Sequence, residues 1–178
     1  GERWYQGTAD AVYQNVYLLE QERPRNVVVL SGDHIYKMDF ARLIARHEAK
    51  GAIATVAAVE VPIEEASVFG VLAVDEASRI TAFQEKPKAP SPVPGRPETA
   101  LVNMGVYVFD TETLVRALAL DARRDTRHDF GHDILPSLVD TEKLYAYSFV
   151  DENKKETAYW RDIGTLDSYY EASMDLVA

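Results

Sequence analysis

Apolar and polar residues follow two different periods along the chain, and together they predict an α/β protein. Short apolar runs bounded by turn residues are typical of strands. They occupy residues 27–30, 52–61, 69–74, 79–84, 101–109 and 144–150. Apolar residues at helical spacing predict helices over residues 8–20, 39–50, 111–120, 134–139 and 166–177. The alternation of strands and helices predicts a parallel or mixed sheet flanked by helices.

The segment that follows the first predicted strand is the first candidate functional site. Residues 31–33 read Ser-Gly-Asp after a Val-rich run. We expect that run to be buried on both faces, and ligands of such sheets bind off the carboxyl ends of the strands. One hypothesis is that the Asp33 carboxylate holds a hard cation, Mg²⁺, against substrate phosphates. The alternative is an Asp that caps a turn after a core strand.

Two further junctions carry charged side chains where an extended segment ends. Asp162 precedes a Gly-Thr turn and the last predicted helix. Glu85 and Lys86 stand between a strand and a loop rich in Pro, Ser and Gly at residues 88–99. Lys86 is a candidate to bind a phosphate as a point charge, and Glu85 to accept hydrogen bonds from sugar hydroxyls. The alternatives are a turn Asp and a solvated Glu-Lys pair.

Glycines and histidines give weaker signals. Gly7 and Thr8 fit a hinge and a helix N-cap, or a close approach of the backbone to a base or phosphate. Gly70 fits a bulge or another close approach. His47 is interpreted as a surface or boundary residue of its helix. Residues 128–133 contain two His and two Asp, which invites a metal site, but we predict an N-terminal cap for the following helix there.

The net charge and the lack of cysteine exclude several classes of function. The 178 residues carry a formal net charge of −10, and the sequence pI is about 4.8. This acidity argues against nucleic-acid or anionic-membrane binding. The chain has no cysteine, which excludes disulfides and thiolate metal sites and is expected of a cytoplasmic protein. No apolar run has the length of a membrane span, and no signal peptide is evident.

Six segments, in this order, resemble the sugar-phosphate nucleotidyltransferase family, most closely its ADP-glucose-forming branch. They are residues 4–12 (Trp-Tyr-Gln-Gly-Thr-Ala-Asp-Ala-Val), 31–36 (Ser-Gly-Asp-His-Ile-Tyr), 69–71 (Phe-Gly-Val), 83–87 (Phe-Gln-Glu-Lys-Pro), 103–107 (Asn-Met-Gly-Val-Tyr) and 159–165 (Tyr-Trp-Arg-Asp-Ile-Gly-Thr). The resemblance implies a Rossmann-like, GT-A-type mixed sheet. It also implies the reaction of ATP with glucose 1-phosphate to give ADP-glucose and pyrophosphate, in glycogen or starch synthesis.

The resemblance also implies roles for individual residues. Asp33 and Asp162 would bind Mg²⁺, Lys86 the phosphate of glucose 1-phosphate, and Glu85 the sugar hydroxyls. The remaining matched positions would contact substrate or product, with Gly7 and Thr8 against the adenine. These positions are Tyr5, Gly7, Thr8, Gly70 and Asn103. Asn103 stands where many relatives have Ser, and either side chain can hydrogen-bond a sugar hydroxyl.

Two family features are missing from this sequence: the Gly-rich triphosphate loop after the first strand, and the C-terminal β-helix domain. We therefore expect residues 1–178 to be a partial catalytic domain, incomplete at the N-terminus and inactive alone, with an exposed strand edge or apolar surface that favours association. The resemblance implies a homotetrameric, allosteric full-length enzyme. Two other functions remain open: a sugar nucleotidyltransferase for another base or sugar, and a non-catalytic regulatory or binding subunit. The presence of Asp33, Lys86 and Asp162 argues against the second.

Overall fold

One long strand organises the sheet. The computed structural model describes residues 4–141, 143–149 and 159–177. In it β6 (Thr99–Asp110) pairs antiparallel with β3 (Ala54–Pro62) on one side. β1 (Asn26–Leu30) and β4 (Gly70–Val74) share its other side, both antiparallel.

Two outer strands complete the six-stranded sheet. β5 (Ile80–Glu85) forms a hairpin with β4, as its turn residues predict. β7 (Leu144–Ser148) runs parallel to β3 and forms the opposite edge. One parallel pair among antiparallel ones makes a mixed sheet, so the predicted fold class is confirmed.

Helices cover both faces of this sheet. They are α1 (Thr8–Tyr13), α2 (Val16–Glu22), α3 (Phe40–Ala49), α4 (Thr111–Asp121), α5 (Leu135–Leu138) and α6 (Leu166–Asp175). Short 3-10 turns follow β3 (Ile63–Val68) and α5 (Val139–Thr141), and a π-turn (Phe130–Ile134) precedes α5. The longest described helix has 11 residues, and none of the described helices is long and apolar enough to cross a membrane.

Two buried clusters lie on the two faces because successive strand residues point to opposite sides. On one face, Tyr107 and Phe109 pack with Leu114 and Leu118 of α4. On the other face, residues such as Val106 pack with Leu43 of α3 and its neighbours. We call these the α4 face and the α3 face.

A small antiparallel ribbon stands apart from the main sheet. β2 (His34–Tyr36) pairs with β8 (Trp160–Asp162), and His34 lies opposite Asp162. Tyr36 and Trp160 pack against the α3 face. The sequence pattern does not predict this ribbon, because three-residue strands are too short to show a period.

The helix predicted over residues 8–20 is two helices in the structure. α1 ends at Tyr13, and α2 begins after Asn15, whose side chain donates to the carbonyl of Ala11 at 2.9 Å. The N-cap of α1 is Gly7 rather than the predicted Thr8.

Two predictions about burial are wrong. β1 is half-buried rather than buried on both faces, because it pairs only with β6 among the described strands. His47 is buried rather than at the surface, because its ring hydrogen-bonds Thr55 of β3 beneath α3. Residue 150, the predicted end of the last strand, lies outside the described residues.

Candidate functional site

A cleft of about 520 Å³ opens at the carboxyl end of β1 on the α4 face. Its walls are α1, the loop after β1, the middle of β6 and the π-turn. Four of the residues chosen from the sequence line it: Thr8, Asp33, Glu85 and Asn103. The cleft thus lies at the carboxyl end of the strand after which the sequence places Asp33.

Asp33 and Asp162 are brought together at the edge of this cleft. A carboxylate oxygen of each and a ring nitrogen of His34 lie within 4.8 Å of one another. The β2–β8 ribbon creates this proximity, since the backbone N–H of Ile163 also donates to the carbonyl of Asp33 at 3.0 Å. Asp162 keeps its orientation by accepting a bond from the N–H of Gly164 at 2.8 Å. Two carboxylate oxygens and one imidazole nitrogen form a donor set that a divalent cation can use.

The orientation of His34 follows from its partners. Its Nδ1 lies 2.7 Å from the carbonyl oxygen of Met104, which can only accept, so Nδ1 carries the proton. In the neutral ring Nε2 is then an unprotonated acceptor, and it lies 3.7 Å from an Asp33 carboxylate oxygen. Trp160 packs edge-on against the ring at 5.4 Å and fixes its plane.

Glu85 lines the cleft, and Lys86 follows it at the end of β5. The Lys86 Nζ lies 4.0 Å from a Glu85 carboxylate oxygen, and its side chain is 68% exposed. Lys86 itself does not line the cleft, and its backbone has a left-handed φ of 44°. Gly70 lies opposite Glu85 across the hairpin. A Cβ there would stand 3.2 Å from the Glu85 carboxylate, so this glycine leaves space for the Glu85 side chain.

The floor of the cleft is polar. The Asn103 side chain accepts from the N–H of Gly105 and donates to the Tyr107 hydroxyl, each at 3.0 Å. Burial raises the pKa of Tyr107 to about 12, against a smaller opposing effect of the Asn103 hydrogen bond. Asp129 and Glu85 raise this pKa further. The Tyr107 hydroxyl is therefore protonated at neutral pH and can act as a hydrogen-bond donor.

The N-terminal segment forms the far wall through contacts with the π-turn. The Thr8 hydroxyl donates to Asp129 at 3.0 Å and accepts from the N–H of Phe130 at 3.1 Å. Gly7 does not line the cleft, and a Cβ there would overlap the carbonyl oxygens of Arg127 and His128. These contacts give both residues a role in packing, beside the substrate contact that the resemblance implies.

Tyr5 is a predicted site residue that has no contact with the other predicted site residues among its hydrogen bonds. Its side chain is 57% exposed, it does not line the cleft, and its hydroxyl accepts a 3.4 Å bond from Asn15. Its contact with substrate stays a prediction.

The charge of the cleft is negative. Carboxylates of Asp33, Glu85 and Asp129 line it, whereas no lysine or arginine does within the described part of the chain. Lys86 lies beside Glu85, and a guanidinium nitrogen of Arg127 contacts the lining residue His132 at 3.1 Å. An anionic ligand in this cleft requires a cation in addition to its lining.

Sequence reasoning missed several lining residues. These are His34, Tyr107, Asp129, Phe130 and His132. The period of a strand could have identified Tyr107, because it follows Asn103 by four residues and shares its face. Asp129 does cap the following turn, as predicted, by accepting from the N–H groups of Gly131 and His132. Nothing in the local pattern showed that this turn reaches the cleft.

Trp160 has a buried indole N–H without a hydrogen-bond partner, the only side-chain group of this kind among the described residues. Its ring packs against His34 and, at 5.5 Å, against Phe69. Trp160 is partly buried and packs against the α3 face.

Comparisons with known proteins give one consistent result. The model of the family described as nucleotidyl transferase matches residues 2–178. A glucose-1-phosphate adenylyltransferase of Rhodopirellula baltica is 51% identical over 177 residues, which are 99% of this chain and 40% of that protein. Proteins of similar name from Alkalilimnicola ehrlichii and Shewanella sp. are 50% and 51% identical over 98% and 99% of this chain, and over 41% and 43% of their own lengths. The chain thus spans about two fifths of these curated relatives.

Proposed function

Because the chain belongs to the nucleotidyl transferase family, we propose that it supplies part of the catalytic site of an enzyme that makes ADP-glucose. In this reaction an oxygen of the phosphate of glucose 1-phosphate forms a bond to the α-phosphorus of ATP. The bond from that phosphorus to the bridging oxygen breaks, and pyrophosphate leaves with the electron pair. The observation that carries the proposal is the meeting of Asp33 and Asp162 at the edge of a cleft lined by Glu85 and Asn103.

The donor set at the cleft edge fits a hard divalent cation. Two carboxylates with room for substrate oxygens are the environment that Mg²⁺ prefers, and Asp33 and Asp162 supply them. When bound, the cation neutralises phosphate charge that the acidic lining cannot neutralise. Asp33 and Asp162 are the two residues that would hold it.

The remaining residues position the sugar phosphate. The Lys86 ammonium attracts its phosphate, and the Glu85 carboxylate accepts hydrogen bonds from sugar hydroxyls. Asn103 retains one N–H donor after its bond to Tyr107, and this donor is the group that we assign to a sugar hydroxyl. In-line displacement then requires positioning and charge neutralisation, without a covalent enzyme intermediate.

The setting of the reaction is part of the same proposal. We place the enzyme in the cytoplasm, in glycogen or starch synthesis, and expect its full-length form to be an allosteric homotetramer. The substrates are ATP and glucose 1-phosphate.

A chimeric enzyme tests the catalytic role. This chain replaces the matched 177 residues of the Rhodopirellula baltica relative, and ADP-glucose formation is measured with Mg²⁺. We expect an active chimera whose kcat falls by about 10²- to 10³-fold with Asp33→Asn, because that carboxylate would hold the cation that neutralises transition-state charge. An active chimera that keeps its kcat with Asp33→Asn contradicts the catalytic role and favours a regulatory or binding function for this segment.

The same chimera tests substrate binding. We expect Lys86→Ala to raise KM for glucose 1-phosphate by about tenfold or more, since it removes an electrostatic bond to the phosphate. Lys88→Ala is the matched control, because Lys88 is an exposed lysine two residues further along. UTP or dTTP in place of ATP tests the alternative base, and a higher kcat/KM with either nucleotide would assign the chain to another branch.

A further inference from the structure

The middle of β6 departs from regular pairing directly below the loop that carries Asp33. Along β3, Ala57 lies opposite Val106, but the next residue, Ala58, lies opposite Asn103. Met104 and Gly105 are thus two extra residues on β6, and they bulge out of its ladder with β3. Bulges of this kind re-aim side chains and free backbone groups next to sites.

The freed backbone groups of this bulge are taken up by the Asp33 loop. The carbonyl of Gly105 accepts from the N–H of Ser31 at 3.0 Å, and the carbonyl of Met104 accepts from His34 Nδ1 at 2.7 Å. The N–H of Gly105 donates to the Asn103 side chain at 3.0 Å. Two bonds from the bulge therefore bracket Asp33, one on the residue two before it and one on the residue after it.

Gly105 is required for this contact by its conformation and its surroundings. Its φ is 69°, in the left-handed region that favours glycine. A Cβ at this position would overlap the Ser31 hydroxyl and lie 3.1 Å from His34 Cε1. The loop and the bulge are in contact without space for a methyl group.

We propose that the Met104–Gly105 bulge is the positioning element that presents Asp33 to Asp162. In the same proposal His34 is a positioning residue acting through Nδ1, because a hard cation takes the carboxylate oxygens in preference to the imidazole nitrogen. The inference rests on the proposed function, because it explains how the two carboxylates are held together. The Asp33 loop receives its second attachment from β8, through the Ile163 N–H bond to the Asp33 carbonyl. Loss of the bulge contact therefore loosens the pairing between the Asp33 loop and β8.

Amide hydrogen exchange of the 178-residue chain without metal tests the bulge. We expect Gly105→Ala to speed exchange at Ser31 and Ile163 by about tenfold or more, while Ala146 on β7 is unchanged. Gly95→Ala is the matched control, since Gly95 has a similar φ of 76° but no atom within 4 Å of a Cβ. Equal exchange at Ser31 and Ile163 in the two variants would overturn the inference.

Two substitutions of His34 separate positioning from ligation, with Mn²⁺ as the probe and electron paramagnetic resonance as the measure of its binding. Asn has an N–H near the place of Nδ1, whereas Gln has its amide near the place of Nε2. We expect His34→Asn to keep the Mn²⁺ affinity and His34→Gln to weaken it by about 10- to 100-fold, the range for residues that orient metal ligands. Loss of affinity in His34→Asn, or full affinity in both variants, would overturn the role of His34.

Failure of the proposed metal site and failure of the bulge inference give different experimental results. If Asp33→Asn leaves Mn²⁺ affinity unchanged, the assignment of a metal to Asp33 and Asp162 is wrong. The exchange experiment contains no metal, and it decides the structural role of the bulge in either case.

Discussion

His47 has almost no contact with solvent, although its neighbours on α3 face water. It is 2% exposed, and its Nδ1 lies 2.9 Å from the Thr55 hydroxyl on β3. Burial lowers the pKa of His47, because the imidazolium form loses hydration; Asp110 and Glu48 oppose this shift and Arg25 adds to it. The contribution of His47 to the stability of the fold therefore depends on pH.

We expect the stability contribution of His47 to fall as the pH is lowered. The unfolded chain binds this proton at about pH 6.5, before the folded protein does, so the loss begins below that pH and continues to the lower pKa of the folded state. Above about pH 6.5 both states are neutral at this residue, and no pH effect is expected. Urea unfolding of wild type and His47→Asn at pH 7.5, 6.5 and 5.5 measures the difference. A difference in the free energy of unfolding that does not change with pH contradicts the prediction.

Gly7 offers a second test at the scale of one residue. We expect Gly7→Ala to lower the free energy of unfolding by about 1–3 kcal/mol, because its Cβ meets backbone carbonyls that cannot rotate away. Gly32→Ala is the matched control, since Gly32 has no atom within 4 Å of a Cβ, and its effect is expected within about 0.5 kcal/mol. Chemical denaturation measures the free energy of unfolding of both variants. Equal values for the two would show that the N-terminal segment does not pack as described.

Among the elements, β1 is unusual because its sequence is apolar although the strand is only partly buried. It reads Asn-Val-Val-Val-Leu, yet it pairs with β6 alone among the described strands, and Leu30 is 48% exposed. An apolar strand with one unpaired edge offers N–H and C=O groups to other chains. A short apolar run of this kind is buried on both faces only when its strand is paired on both of its edges.

We expect the purified chain to self-associate through β1 as its concentration rises. Leu30→Lys places a charge near this edge and shifts association to higher concentration. Leu120→Lys on α4 is the matched control, because Leu120 is 51% exposed but belongs to a helix. Sedimentation velocity over a concentration series measures the effect. Equal responses of the two variants would mean that association does not involve the strand edge.

At the scale of the whole molecule, the site combines residues from both ends of the chain with an acidic lining. Asp33 and Asp162 meet through the β2–β8 ribbon, while Thr8 and Asp129 close the opposite wall. The lining carries three carboxylates and no lysine or arginine within the described residues. A triphosphate meets repulsion there unless cations are added.

We expect the 178-residue chain alone to show no measurable formation of ADP-glucose even with Mg²⁺, because no lysine or arginine lines the cleft within the described residues to bind the remaining triphosphate charge. Pyrophosphate release from ATP and glucose 1-phosphate in Mg²⁺ measures this activity, with the Rhodopirellula baltica relative as the positive control. Robust turnover by the chain would show that its own residues neutralise the triphosphate.

Much of the fold could be predicted from local pattern. The six main strands and the α/β class follow from apolar runs, and Asp39 caps α3 as its position before an amphipathic segment indicates. The ribbon of His34 and Trp160 could not be predicted, because its strands are stabilised by packing on the α3 face rather than by their own period. The break between α1 and α2 depends on the Asn15 side chain, which competes with the backbone for hydrogen bonds.

The candidate site, like the fold, was only partly predictable from the sequence. The sequence by itself determined the sheet class, the turn behind β1 and, through ordered motifs, the family and the residue types of the site. Only the tertiary structure decided that Asp33 meets Asp162, that Tyr107 and Asp129 share the cleft, and that the Met104–Gly105 bulge supports the Asp33 loop. The physical reason is that periodicity reports which face of an element is buried, whereas contacts between distant segments depend on how whole elements pack and on which backbone groups remain unpaired.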